Sequence, residues 1–330
     1  MTSAYISGTG FYLPERVVTN DELAAIMDTS DEWITARTGI KERRYAAPGQ
    51  GTVDLAVPAV EQALEAAEGT VEQIGLIIFA TSTPDYYAPG SGCLLQDRMG
   101  FGEIGALDIR VQCSGFLYGL SIADQYIRTG TLEHVLVVGA EVQSNAMDLS
   151  DEGRDTAVIF GDGAGAAVLS ANEQGRGVLS THLHSQGKYA QELWIGAASS
   201  YAKQRFNKED IDAGRHWLKM NGKEVFKNAV VRFPEVIREA LAANEIDISQ
   251  VKLIVPHQAN LRISQEVARR LKVPEELLYS NIERYGNTTA ATVPIAMAEA
   301  VREGKIAPGD YVVLAAFGSG FTWAAALLKW

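Results

Sequence analysis

The chain has 330 residues, 47% hydrophobic and 21% charged, about twice a typical domain of ~150 residues, so it reads as two domains or one duplicated unit. It is too apolar for intrinsic disorder, and its 31 Gly and 10 Pro follow no period, which excludes a collagen-like or low-complexity chain. With 41 acidic against 29 basic residues the formal charge is −12, which disfavours nucleic acid as a partner, because phosphate binding needs a basic surface or patch.

In chain order, Met1-Thr2-Ser3 lacks a basic stretch leading into an apolar one, so no signal peptide is expected. Thr29-Ser30-Asp31-Glu32 has the form of a capping box opening a short helix, with Trp33 and Arg37 at i, i+4. An aromatic and a guanidinium on one face suit gripping a purine; the plainer reading is an ordinary amphipathic helix. Helical periodicity then runs over Leu55–Ala67, Leu117–Thr129, Val230–Ala243 and Val293–Glu303. Strand-like apolar runs lie between, at Leu76–Ala80, Ala106–Val111, His134–Ala140, Ala157–Phe160, Ala164–Leu169, Lys252–Val255 and Tyr311–Ala316. This alternation predicts an α/β fold on a largely parallel sheet buried on both faces. The apolar runs are strand-sized, so no membrane span is expected. Two cysteines do not make a disulfide scaffold, and a cytoplasmic protein is the expectation.

The most informative feature is an internal repeat. An offset of 177 places Ala63-Leu64 on Ala240-Leu241, Gln73-Ile74 on Gln250-Val251, and Leu76-Ile77-Ile78 on Leu253-Ile254-Val255. An offset of 174 places Arg128 and Gly130 on Arg302 and Gly304, and Phe160-Gly161-x-Gly163 resembles Phe317-Gly318-x-Gly320. Their constant order points to duplicated halves, divided at 1–172 and 173–330. The offset of 174 also sets Cys113 opposite Asn287. Each precedes an apolar helix without a polar face, the mark of a buried central helix. Pseudo-symmetry then brings two helix N-termini together at the middle of the molecule.

Cys113 at such a terminus meets unpaired N–H groups and the positive end of the helix dipole, which favour the nucleophilic thiolate. The plainer reading is a small core residue, which is also how Cys93 reads. His257 directly follows a predicted strand, where α/β proteins place their chemistry; a satisfied structural histidine competes. His182 and His184 alternate on a strand, but no nearby Cys or carboxylate completes a metal set, so no metal is expected. His134 and His216 read as surface residues. Asn287 is either a helix cap or an amide aimed at an oxyanion. Gly161-Asp162-Gly163-Ala164-Gly165 leads into a strand rather than a helix and fails the context of a dinucleotide fingerprint. Gly318-Ser319-Gly320 follows a strand and offers backbone N–H groups to an oxyanion.

Taken together, the sequence resembles the β-ketoacyl-[acyl-carrier-protein] synthase III family, condensing enzymes of the thiolase superfamily. The resemblance runs through Gly8-Thr9-Gly10, Leu13-Pro14, Thr29 to Ile34, Arg37-Thr38-Gly39-Ile40, Cys113-Ser114-Gly115-Phe116, Phe160 to Ala166, Pro256-His257-Gln258-Ala259-Asn260, Gly286-Asn287-Thr288 and Phe317 to Trp323. It implies a five-layered αβαβα thiolase-like fold, a homodimer and a Cys113, His257, Asn287 triad. The implied reaction is decarboxylative Claisen condensation of an acyl-CoA with a malonyl carrier protein through an acyl-cysteine, initiating fatty acid synthesis. CoA is then a substrate, and no cofactor is expected. The resemblance makes the backbone N–H groups of Cys113 and Ser319 the oxyanion hole, and places the adenine of CoA between Trp33 and Arg37. It lines a pantetheine tunnel with Met220, Gly222 and Phe226, and assigns Ala259 and Asn260 to substrate contact. Gln258, Ala259, Asn260, Leu261 and Arg262 match a carrier-protein segment, and with Lys223, Lys227, Arg269 and Arg270 suggest a cationic face for an acidic carrier; a solvated helix face competes.

Three departures stand out. Ser319 replaces a third glycine, which alters loop shape more than the backbone donor. The segment around Glu152 to Thr156 is about two residues longer than in housekeeping members, leaving Arg154 the nearest match to a CoA-contacting arginine. Ala88 replaces a bulky aromatic of the acyl-pocket wall contributed by the partner in a dimer, which predicts a roomier pocket. The alternative is therefore a specialised relative, of secondary-metabolite or quinolone-signal biosynthesis, taking a longer or aromatic primer or malonyl-CoA. A thiolase would need a second catalytic cysteine, a papain-like hydrolase would use its Asn only to orient His, and an inactive partner subunit would be expected to lose the nucleophile.

Overall fold

The computed structural model describes residues 2–172, 175–205 and 207–330. The strands of the two main sheets are β1 (Ser3–Tyr12), β2 (Leu76–Ala80), β3 (Gly105–Ile109), β4 (His134–Glu141), β5 (Gly163–Asn172), β6 (Gly177–Ser185), β7 (Val251–Pro256), β8 (Tyr311–Gly318) and β9 (Thr322–Lys329). The helices that matter below are α1 (Asp31–Thr38), α2 (Thr52–Ala66), α3 (Ser91–Arg98), α4 (Gly115–Arg128), α5 (Gly222–Ala243), α6 (Leu261–Leu271) and α7 (Thr292–Arg302).

These strands form the two main sheets, ordered β1-β5-β4-β2-β3 and β7-β8-β9-β6, and two small two-stranded sheets, Arg16–Thr19 with Glu42–Tyr45 and Leu193–Trp194 with Lys219–Met220, lie outside them. The duplication is visible in the register. Ile77 of β2 pairs in parallel with Leu136 of β4, and 177 residues on Ile254 of β7 pairs in parallel with Val313 of β8. Beyond these, β4–β5 and β5–β1 are antiparallel, as are β8–β9 and β9–β6. Even β3 has a vestigial counterpart, an isolated parallel bridge from Ile254 to Leu278. Both sheets are thus mixed rather than largely parallel: each half closes on antiparallel strands, and the sequence periodicity does not carry strand direction.

Three apolar clusters give five layers. The central one packs Phe116, Leu117 and Leu120 of α4 with Val293, Ala296 and Met297 of α7, between Val137 of one sheet and Leu314 of the other. The outer face of the first sheet carries α2 and that of the second carries α5 and α6. α4 and α7 are apolar because they touch sheets on two sides. Glycines permit the closest approaches. A Cβ on Gly8 would lie 2.1 Å from the Ala63 carbonyl of α2, and one on Gly139 would lie 2.4 Å from the Ala290 carbonyl of the other half.

Two local expectations change. Ala157–Phe160 is not a strand: one helical turn, Arg154–Ala157, runs into a loop whose Phe160 makes a single bridge to Asn287. Its apolar side chains pack beneath α1 with Ile34 and Ile40. The periodicity at Val230–Ala243 is the end of a longer helix beginning at Gly222, capped by the Asn221 side chain. The half boundary at 172/173 touches residues outside those described; the chain is in the first sheet to Asn172 and in the second from Gly177. Among the described residues no helix is long and apolar enough to cross a membrane.

Candidate active site

A cavity of about 510 Å³ runs from the surface to the centre of the molecule. Cys113, His257 and Asn287 all line it, so the three sequence candidates from different elements open onto one space. Cys113 stands in a 3₁₀ turn, Gln112–Ser114, that runs straight into α4. His257 leaves the end of β7, its N–H donating to the Ala315 carbonyl. Asn287 is held by backbone bonds to the loop before β5: its N–H donates to Ile159 and its carbonyl accepts from Gly161. Its Oδ1 accepts from the Thr289 N–H at 2.8 Å, which leaves Nδ2 as the side of the amide available to a ligand.

The offset pairing needs correction. Gln112 and Thr289 both have left-handed backbones, φ 45° and 51°, each opens a 3₁₀ turn, and α4 and α7 begin at Gly115 and Thr292. The offset there is 177, so the structural counterpart of Cys113 is Ala290, and Asn287 precedes it by three positions. The offset of 174 holds at the other helix end, because α4 has 14 residues and α7 has 11.

Electrostatics also differ from expectation. Burial pushes the Cys113 thiol up to about 12, Glu141 adds to this, and the backbone N–H groups of Cys113 and Ser319 oppose it. Desolvation outweighs the helix terminus, so Cys113 rests as a thiol. Burial pushes His257 down to about 3, leaving a neutral imidazole at pH 7. Glu141, with no exposed surface, accepts from Ser82, Thr83 and the Ala290 N–H and is pushed up to about 7 by burial. Gly318 lies against the nucleophile: a Cβ there would come 3.0 Å from Cys113 Sγ.

Comparison with known proteins matches this architecture. Residues 107–187 match the family 3-Oxoacyl-[acyl-carrier-protein (ACP)] synthase III, and residues 241–330 its C-terminal family. A β-ketoacyl-[acyl-carrier-protein] synthase III of Xanthomonas euvesicatoria is 47% identical over 327 residues, 98% of each chain. One from Alkalilimnicola ehrlichii is 46% identical over the full length of both. The crystal structure of 3-oxoacyl-[acyl-carrier-protein] synthase III from Aquifex aeolicus superposes with a TM-score of 0.91 at 42% identity, covering 99% of this chain and 100% of that one. The chain belongs to the β-ketoacyl-[acyl-carrier-protein] synthase III family. It is a condensing enzyme of the acyltransferase class with a thiolase-like fold.

Within this synthase III chain the other expected residues sort into three groups. Trp33, Arg37, Met220, Gly222, Lys223, Phe226, Ala259, Asn260 and Arg262 line the same tunnel as the triad. The Arg37 guanidinium lies over Trp33 at 4.3 Å from the ring centroid. A flat base between the two needs about twice the ~3.5 Å contact distance, so Arg37 must move to admit one. Arg154 ion-pairs with Asp28 and sits 5.8 Å over Trp33, at the tunnel mouth.

One docking assignment does not fit the structure. Gln258 is 2% exposed, and its amide donates to the Pro256 and Tyr279 carbonyls; it is a structural brace, not a surface contact. Arg269 and Arg270 pair with Glu266, and Lys227 with Glu224, in surface contacts that leave Arg269 and Lys227 well exposed. Leu261 is half-buried with the apolar cluster beneath α1. Asn260 caps α6 and donates to the Arg37 carbonyl, joining α6 to α1. Lys223 and Arg262, with Arg37, are the assigned cations that line the tunnel itself.

Cys93 is exposed, not core. His182 and His184 do meet a carboxylate, Glu239 of α5, at 3.1 and 2.7 Å; the sequence separation of more than fifty residues hid it. Among the described residues no group of three such side chains is arranged to hold a metal. Sequence reasoning missed Glu141 and Thr292. Glu141 lies one residue past the predicted strand His134–Ala140 and ends the observed one, and only its burial marks it. Thr292 lies in the run Thr288-Thr289-Ala290-Ala291-Thr292, where nothing in the sequence distinguishes one threonine from another.

Proposed function

We propose that this chain joins an acyl-CoA primer to a malonyl carrier protein, with Cys113 as nucleophile and His257 and Asn287 as oxyanion donors. The single observation that carries this reading is the convergence of the three side chains on one tunnel, beneath a mouth holding Trp33, Arg37, Lys223 and Arg262. The tunnel suits a long thioester arm with an anionic head, which the four mouth residues would bind.

In the first half-reaction Cys113 Sγ bonds the thioester carbonyl carbon, the bond from that carbon to the CoA sulfur breaks, and the thiol proton ends on CoA. The backbone N–H groups of Cys113 and Ser319, both directed at Sγ, support an oxyanion hole beside it. In the second, the malonyl carboxylate leaves as CO₂ and its electron pair passes into an enolate, whose oxygen His257 Nε2 and Asn287 Nδ2 stabilise. The enolate carbon attacks the acyl carbonyl, and the Cys113 thiolate released takes up one proton. No cofactor enters the scheme, and CoA is a substrate.

A carrier protein with an acidic helix would dock over Lys223 and Arg262. Self-association of two copies is the expected assembly: β3 is the last strand of its sheet, Leu107 on it is exposed, and Tyr86 and Tyr87 nearby are 60% exposed. Ala88 lies beside these tyrosines and outside the tunnel of its own chain, which fits a pocket wall given to a partner. A cytoplasmic location goes with this chemistry.

A specific observation favours primers larger than acetyl. A second cavity of about 240 Å³ meets Cys113 from the other side, lined by Ser82, Gln143, Leu193 and Ile195 among others. A cavity of about 150 Å³ already accepts benzene. Intact-protein mass spectrometry after incubation with acetyl-, medium-chain and aromatic acyl-CoAs reads the primer from the adduct mass. Adducts beyond acetyl on Cys113, curtailed in Ala88→Phe, are expected. No adduct from any thioester would overturn the reading.

A further inference from the structure

The turn between Asn287 and α7 does more than present a carboxamide. Thr292, the first residue of α7, is 2% exposed. Its hydroxyl oxygen lies 2.5 Å from His257 Nδ1 and 3.0 Å from the Thr289 carbonyl. That hydroxyl has one hydrogen and two acceptors within reach. The Thr289 carbonyl already accepts the backbone N–H of Thr292 itself. Nδ1 has the hydroxyl as its partner, and the imidazole contact is the shorter of the two.

The alternative arrangement works against the chemistry. If Nδ1 carried the ring proton, Nε2 would offer only a lone pair to a tunnel in which a thioester oxygen gains negative charge. A doubly protonated ring is not available as an escape, because burial holds His257 neutral at pH 7. The tautomer of the neutral ring therefore decides whether His257 can donate at all.

We propose that the Thr292 hydroxyl donates to His257 Nδ1 and so keeps the ring proton on Nε2, making Thr292 the positioning residue for the decarboxylation donor. Thr292 sits behind the ring and outside the residues lining the tunnel. It acts on the reaction through His257 alone. The same short turn thus orients both donors, with the Thr289 N–H fixing Asn287 and the Thr292 hydroxyl fixing His257. The inference rests on the condensing reading above, since only that chemistry asks Nε2 to donate.

The full-length enzyme is tested as wild type, Thr292→Val, which keeps the shape and removes the hydroxyl, and Thr292→Ser. Acylation of Cys113 is followed by intact mass, and CO₂ release from a malonyl thioester is followed separately. Thr292→Val is expected to acylate at the wild-type rate and to lose about 10²-fold in CO₂ release, the size of one lost oxyanion donor; Thr292→Ser is expected to recover it. Nitrogen-15 NMR of histidine-labelled wild type should show His257 protonated on Nε2, and Thr292→Val should lose that preference. Equal falls in both half-reactions, no rescue by Ser, or a wild-type proton on Nδ1 would overturn the proposal. A wild type that acylates but releases no CO₂ would sink the condensing reading instead, and the NMR tautomer would still decide the role of Thr292.

Discussion

Gln112 and Thr289 occupy equivalent places in the two halves. Each takes a left-handed backbone, each opens a 3₁₀ turn, and each leads into one of the two central helices. The turns touch across the middle of the molecule, where Gly139 allows the Ala290 carbonyl to approach the first sheet. Their side chains diverge. The first turn carries the thiol of Cys113; the second carries Ala290 at the matching place, whose N–H donates to Glu141. Its polar groups flank that point, Asn287 before it and Thr292 after it. The duplicated fold supplies a symmetrical pair of platforms with different side chains, and on the proposed reading the first carries the nucleophile and the second sets the two side-chain donors, His257 and Asn287.

The division of labour is most exposed to replacement of the working side chains. Cys113→Ala should abolish the acyl-enzyme, read as loss of the adduct by mass. His257→Ala and Asn287→Ala should still acylate but lose about 10²–10³-fold in malonyl decarboxylation. Were either to fail at acylation as completely as Cys113→Ala, the two turns would be doing one job.

The contact between the platforms can be tested through stability. Gly139→Ala sets a methyl against the Ala290 carbonyl, backbone that cannot swing aside. We expect a loss of about 1–3 kcal/mol in urea denaturation, the range for overpacking. Gly102→Ala, which meets nothing within 4 Å, should change stability by less than ~0.5 kcal/mol. Equal effects would mean the halves do not depend on that approach.

The gentlest probe is alkylation. With its thiol pushed up to about 12, Cys113 stays protonated across neutral pH, and only the thiolate fraction reacts. Iodoacetamide at pH 7.5 should therefore label exposed Cys93 first, and Cys113 labelling should climb as pH rises. Peptide mapping distinguishes the order. Faster labelling of Cys113 would show that its helix terminus outweighs burial, which would separate the two turns by charge as well as by side chain.

Much of this was readable in the chain. The repeat points to the duplicated α/β plan; Cys113 and Asn287 stand out because each precedes a run of small or apolar residues, and His257 because it directly follows a predicted strand. Failures had physical causes. Ala157–Phe160 is apolar because it lies under α1, and burial without ladder partners leaves the same trace as a strand. Arg269 and Arg270 carry their own counter-charge, Glu266, three and four residues before them, a spacing that brings the three side chains onto one helix face. The family resemblance assigns Gln258 to carrier contact as part of one segment with Arg262, but that segment does not share one environment: Gln258 is buried and Arg262 is exposed.

Sequence by itself settled the kinds of atoms at the centre and the fact that the fold is built twice, since identity and spacing are local properties of a chain. The protonation of Cys113, the neutrality of His257, the hydrogen-bond partner of its Nδ1 and the choice of cations that line the tunnel were decided only on folding. Each depends on desolvation and on neighbours contributed by distant segments, and no local stretch of chain contains that sum.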